Sequence, residues 1–298
     1  MRVHHLNCIS GCPLGGLLMD GFTSDSIRGR LASHCLLVES ADALVLIDTG
    51  YGLRDVADPR SRIAQIFLTL IRPELREEMT AVRQIERLGF RARDVRHIVL
   101  SHLDFDHAGG LDDFPEATVH LMGEEVRSAT ARRTPLDKLR YRPAQWNTRD
   151  KWRTYEASEG DSWRGFSCVR QLAGLPPELL MVPLVGHTLG HAGVVVERGE
   201  GVLFYAADAY FHHAEMDLER PRCTPGLALY QTMMEKDRHQ RLLQQRNLRS
   251  LRRNEGDALS IFCAHDVREF EALAGRPLAR PAQVSEEAAS RAAQHVRA

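Results

Sequence analysis

The 298-residue chain lacks charge bias, long apolar runs and paired-cysteine motifs, and has few aromatic residues; each shortage removes a class of function. Lys plus Arg number 39 and Asp plus Glu 40, so a net charge of −1 gives no general attraction to nucleic acid or an anionic membrane. Aromatics at 6% leave little for a base-stacking surface. No apolar run approaches the roughly 20 residues of a membrane span, and the start "MRVHHLNCISGC" lacks the basic-then-apolar layout of a secretory signal. Cys8, Cys12, Cys35, Cys168, Cys223 and Cys263 are scattered, with no two-residue spacing of a zinc knuckle, and read as reduced thiols. The expectation is a cytoplasmic protein that acts on a small molecule, with no nucleic-acid and no membrane partner.

What is present alternates between short apolar runs and turn residues. "HCLLVES" (34–40), "ALVLIDTG" (43–50), "VRHIVLSH" (95–102), "LLMVPLVGH" (179–187), "GVVVERG" (193–199), "GVLFYAAD" (201–208) and "LSIFCAHD" (259–266) read as buried strands. "VERGEGV" should join two of them as a hairpin. Residues 60–90 carry apolar positions at helical spacing, broken at Pro73 and closed by Gly89, which predicts one helix or two with a joint. Residues 226–252 predict one long helix. The polar stretch 124–165 has no clean period and reads as a surface insertion or lid. The expected organisation is one domain over 1–274, with insertions at about 52–85 and 124–165, followed by a polar, flexible tail over 275–298.

The chemistry is concentrated at strand ends. "SHLDFDHAGG" (101–110) crowds His102, Asp104, Asp106 and His107 behind an apolar strand, and His187, Asp208 and His265 end three further strands. Rigid strands deliver side chains from distant parts of the chain to one point, so this is either a metal site or a polar loop crowded by accident.

"LIDTG" (46–50), "HLDFDH" (102–107), "GHTLGH" (186–191), "AAD" (206–208) and "CAHD" (263–266), in that order, resemble the motifs of the metallo-β-lactamase-fold hydrolase superfamily over roughly residues 31–270. The resemblance implies an α/β fold: a four-layer αββα sandwich of two packed mixed β-sheets flanked by helices, with the metal site at one edge. It implies two divalent metal ions, zinc first, with iron or manganese as alternatives. One would be held by His102, Asp104 and His187, the other by Asp106, His107 and His265, with Asp208 bridging both. Asp48 would orient a ligand rather than touch metal, and His191 would be structural. A hydroxide bridging the two metals would attack a carbonyl ester, most readily a lactone, with Asp106 or Asp208 moving the proton.

One position departs from the family pattern, which has His where this chain has Asp104. A carboxylate favours harder cations, and flavodiiron proteins of the same fold carry one there and use iron. A diiron redox protein and a non-catalytic sensor of a small ligand are therefore the rival readings. Lactonases of the superfamily place a tyrosine three residues after the bridging aspartate. Here Tyr210 follows Asp208 by two, and in an extended segment it would share a face with Asp208 and could polarise the carbonyl. His4, His5, His212 and His213 read as structural, Met233 and Met234 as core or lid packing, and the arginine runs at 132–142 and 246–253 as solvated faces. The apolar stretch "IAQIFLTLI" (63–71) would either support a homodimer or pack over the site.

Overall fold

The computed structural model describes residues 1–40, 43–146 and 149–278. Most of the 275–298 tail thus lies outside the described residues. Among the described residues twelve strands form two six-stranded sheets. The first carries β1 (Arg2–Asn7), β2 (His34–Glu39), β3 (Leu44–Ile47), β4 (Val95–Val99), β5 (Thr118–Met122) and β6 (Trp152–Tyr155), in that spatial order. The second carries β7 (Asp161–Trp163), β8 (Phe166–Gln171), β9 (Leu179–Pro183), β10 (Ala192–Arg198), β11 (Gly201–Ala207) and β12 (Leu259–Cys263). Both are mixed: β3 to β6 run parallel, as do β11 and β12, and the remaining neighbours are antiparallel.

Side chains alternate across each strand, and both faces are apolar, as strands covered on two sides require. Leu36, Val38, Val45 and Ile47 of the first sheet meet Met181, Val194, Leu203 and Phe262 of the second. Leu37, Leu46 and Ile98 point outward against Val82 and Ile85. Val182, Val195 and Phe204 do the same against Leu248 and Leu251. The result is the expected αββα sandwich.

The helices are α1 (Leu17–Asp20), α2 (Leu53–Ala57), α3 (Pro59–Arg62), α4 (Gln65–Leu70), α5 (Ala81–Arg87), α6 (Gly123–Ala131), α7 (Pro135–Arg140), α8 (Pro225–Met234), α9 (Arg238–Glu255) and α10 (Val267–Ala274). Every predicted strand is present, and the hairpin closes through Arg198 opposite Gly201. The helical expectations need correction. Residues 60–90 form short pieces rather than one or two helices, because Pro73 and several non-helical caps interrupt them; Gly89, at φ 91°, does end α5. The stretch at 226–252 is two helices, parted at Glu235 and restarted by the Asp237 side chain, which accepts from Gln240 N–H.

The 124–165 stretch is not an irregular lid. It contains α6, α7 and the edge strand β6, and buries Trp146 and Arg140. Ile63, Phe67 and Ile71 pack inward with Tyr51 and Phe105, leaving Ile66 and Leu70 exposed. Among the described residues no helix is long and apolar enough to cross a membrane.

Candidate metal centre

The site lies where loops leaving both sheets meet. The β4 loop brings His102, Asp104, Asp106 and His107; the turns after β9, β11 and β12 bring His187, Asp208 and His265. Two local features aim these groups. The pairing of β11 with β12 slips between Tyr205 and Ala207, and Ala207 takes φ 45°, a bulge that swings Asp208 out of the strand. Gly186 and Gly190 bracket His187 because a Cβ at either would collide with the backbone of Arg241 in α9 or Glu125 in α6.

All seven expected metal residues converge. Asp208 Oδ2 lies 3.9 Å from His102 Nε2 and 3.5 Å from His187 Nε2, while its Oδ1 lies 3.3 Å from both His107 Nε2 and His265 Nε2. Asp104 Oδ2 is 3.4 Å from His102 Nε2 and 3.1 Å from His187 Nε2, and Asp106 Oδ2 is 3.8 Å from His265 Nε2. Spacings of this size suit ligands sharing a cation at about 2 Å each.

Hydrogen bonds on the far side of the rings set the tautomers. His107 Nδ1 donates to Asp48 at 2.8 Å, and His265 Nδ1 to the Ala32 carbonyl at 2.7 Å. The Ser101 hydroxyl donates to Asp48 and accepts from His102 Nδ1. Each of these three histidines therefore turns Nε2 toward the cluster, where the neutral ring would offer its lone pair. His102 Nε2, His107 Nε2 and Asp208 Oδ1 are buried and make no hydrogen bond among the described residues. Buried polar groups without partners are rare in proteins, and imidazole nitrogens and carboxylate oxygens turned to common points form a donor set that fits a pair of divalent cations.

The charges are strongly coupled. Burial alone would raise the Asp208 carboxyl, but His265 and His107 hold it well below the usual range. At Asp104 the same burial is overridden by the Arg140 guanidinium and His102. Burial outweighs the neighbouring histidines at Asp106 and raises it. His187 is lowered to about 4 by burial, with Arg140 adding to the effect. His107 is pushed well above its ordinary value because Asp208 and Asp48 overcome its burial.

The supporting residues sort themselves by contact. Asp48 accepts from Ser101, His107 and Tyr205, the orienting role expected of it. His191 is committed on both sides, donating to the Leu184 carbonyl and accepting from Asp208 N–H, so it is not a ligand. Glu125 accepts from Leu103 N–H, Gly190 N–H and the Thr188 hydroxyl, tying the two ligand loops together. His212, His213 and Asp266 cluster separately, with His213 Nδ1 2.8 Å from Asp266.

Tyr210 is not where the sequence places it. Its hydroxyl donates to Glu269 at 2.9 Å, and its ring sits in the core beneath α9. The bulge at Ala207 ends the two-residue alternation that the expectation required. The residue three after Asp208 is Phe211, which stacks on the His265 ring and has no hydroxyl. Phenols instead reach the site from Tyr51 and Tyr230, which line a small cavity of about 20 Å³ with Asp106, Phe211 and His265. Tyr51 hydroxyl is buried and has no hydrogen-bond partner among the described residues.

Arg140, read as part of a solvated arginine run, is fully buried. It donates from Nε to Asp104 Oδ1 at 2.7 Å, from Nη2 to Asp104 Oδ2, from Nη2 to His187 Nε2 at 2.9 Å and from Nη1 to the Met234 carbonyl at 2.6 Å.

A two-sheet sandwich with a buried His and Asp cluster at one edge defines a class of metal-dependent hydrolases. Residues 28–260 match the model of the metallo-beta-lactamase superfamily, and the chain belongs to that family. A probable metallo-hydrolase of Mycobacterium tuberculosis is 38% identical over 266 residues, 89% of this chain and 80% of that one. An N-acyl homoserine lactonase of Bacillus thuringiensis is 26% identical over 225 residues, 73% of this chain and 82% of that one. The solved structure of an N-acyl homoserine lactone hydrolase, with N-hexanoyl-L-homoserine at its catalytic metal center, superposes with a TM-score of 0.67 at 20% identity, covering 91% of this chain and 95% of the other.

Proposed function

We propose that the chain hydrolyses carbonyl esters, a lactone first among them, with two divalent cations held by these seven residues. The observation that carries this reading is Asp208, which turns one carboxylate oxygen to the His102 and His187 pair and the other to the His107 and His265 pair. Cations bound there supply a Lewis acid for a carbonyl oxygen and a water acidic enough to act as nucleophile near neutral pH. His102, Asp104 and His187 would hold one and Asp106, His107 and His265 the other, with Asp208 placed to serve both. Zinc leads, and Asp104 keeps iron and manganese beside it.

The chain's own groups position the ester. Ile9, Leu31, Ile71 and Phe211 wall the adjoining cavity, which at about 20 Å³ takes a group the size of a water, so only the carbonyl end of an ester would enter it without side-chain movement. Tyr51, with a buried and uncommitted hydroxyl, takes the carbonyl-orienting role expected of Tyr210. Asp106 borders the pocket and Asp208 borders both clusters, so these two are in reach to move the proton. All six cysteines are unpaired, in keeping with a cytoplasmic enzyme. A homodimer built on residues 63–71 would have to use Ile66 and Leu70, the side chains left outward.

The test is metal analysis of protein purified without added metal, followed by assay of lactones, esters, thioesters and β-lactams with zinc, iron and manganese forms. Turnover of lactone, abolished in a folded Asp106→Asn variant, is the expected result. Bound metal with no turnover of any substrate would favour the sensor, and consumption of oxygen or nitric oxide by the iron form would favour the redox protein. Retained turnover in Asp106→Asn would displace the two-cation mechanism.

A further inference from the structure

The departure at position 104 has a partner that explains it. A third carboxylate among the ligands adds a negative charge to a site that the family pattern builds with two. The only buried guanidinium against that carboxylate among the described residues is Arg140, and it grips both oxygens. Arginine keeps its proton at any physiological pH, so this compensation is permanent. Three carboxylates and one guanidinium carry the same net charge as two carboxylates and a neutral imidazole.

We propose that Asp104 and Arg140 act as one electrically neutral unit in place of the family's histidine, with Arg140 a positioning residue that sets the charge under which the adjacent cation is taken up. The proposal rests on the two-cation reading above. Its geometry is specific. The planar fork of Arg140 spends two donors on Asp104, which fixes the carboxylate plane and leaves Oδ2 facing His102 and His187. A third donor reaches the Met234 carbonyl at the C-terminal end of α8, where the helix dipole favours a cation. Lys236, just beyond, pairs with Asp137 of α7, so the helix that bears Arg140 is tied to the same junction. Arg140 Nη2 also donates to the Nε2 lone pair of His187. One lone pair serves one partner, so arginine and cation are alternatives at that nitrogen. The guanidinium thus keeps Asp104 and His187 in register when no cation is bound, and retains Asp104 alone when one is.

Charge balance of this kind is tested by exchange. Asp104→His alone would leave a buried guanidinium beside the first cation with no carboxylate to neutralise it. Arg140→Met alone would leave a buried carboxylate uncompensated. The double variant Asp104→His/Arg140→Met would rebuild the family pattern. Isothermal titration of chelator-stripped protein with Zn²⁺, backed by metal analysis at saturation, is expected to show two equivalents in the wild type. Asp104→His should weaken one of the two equivalents by about 10–100-fold, the scale on which supporting groups tune a metal site, and the double variant should recover most of that loss. Thermal unfolding of the stripped proteins gives a second readout: each single variant melts below the wild type, and the double variant melts above both. Unchanged Zn²⁺ binding in Asp104→His, or a double variant no better than that single one, overturns the proposal while leaving the two-cation reading intact. A wild type that saturates at one equivalent overturns that reading and the proposal together.

Discussion

Replacing Asp48 by asparagine isolates the contribution of a residue that touches no substrate. Four donors converge on its carboxylate: Ser101 N–H at 2.7 Å and, on the other oxygen, the Ser101 hydroxyl at 2.6 Å, His107 Nδ1 at 2.8 Å and the Tyr205 hydroxyl at 2.8 Å. An amide has one acceptor oxygen and an NH₂ group, so no orientation of the substituted side chain satisfies all four. With the amide oxygen facing His107, the NH₂ meets Ser101 N–H and both donors go unpaired. With the NH₂ facing His107, the imidazole must move its proton to Nε2, where the lone pair for a cation should be. Losing charge assistance on three hydrogen bonds and stranding two buried donors corresponds to about 3–5 kcal/mol. Urea unfolding of the chelator-stripped protein should show that loss without any cation contribution. Zn²⁺ affinity should fall by about 10–100-fold, because the His107 tautomer is no longer imposed. A variant within about 1 kcal/mol of wild type, binding Zn²⁺ as tightly, would refute the view that Asp48 orients the centre.

Two tyrosines should separate cleanly. Tyr51→Phe removes a buried hydroxyl that has no partner, so stability should hold or rise, while kcat/KM for the ester falls about tenfold or more if that hydroxyl contacts the carbonyl; unchanged kinetics would remove it from the mechanism. Tyr210→Phe should do the reverse, losing about 1–2 kcal/mol with its bond to Glu269 while leaving turnover intact. His120 gives a pH signature away from the site: burial, then His97, lowers it to about 3, and its ring bridges His97 and Tyr155. A histidine depressed on folding stabilises fully above its unfolded value near 6.5, and that contribution is lost as pH falls from there toward 3. The stripped wild type should therefore lose more stability between about pH 7.5 and 5 than His120→Gln; equal slopes would refute the assignment.

The strands and the convergence of seven His and Asp side chains were legible because both rest on short-range regularities: apolar runs bounded by turn residues, and motifs in a set order along the chain. What was not legible required knowledge of distant partners or of a broken local rule. Arg140 sits in a polar run that looks solvated, and its partner Asp104 is 36 residues away in the chain. A usable signal existed, since Thr134 and Asp137 exchange capping hydrogen bonds and Pro135 opens α7, which marks a helix where an irregular segment was expected. Tyr210 was misplaced because strand alternation was extended past Ala207, where a positive φ ends it. The helical stretch at 60–90 kept its period but not its continuity, as Pro73 and the pieces around it show.

The residues of the proposed centre divide between the sheets, with 102–107 supplied by the first and 187, 208 and 265 by the second. Each cation would therefore be gripped from both halves of the sandwich at once, like a rivet through two plates. Its binding free energy would add to the cohesion of that seam and depend on the concentration of free metal. Starved of metal, the protein would be expected to part first along the edge of the sandwich that carries this cluster.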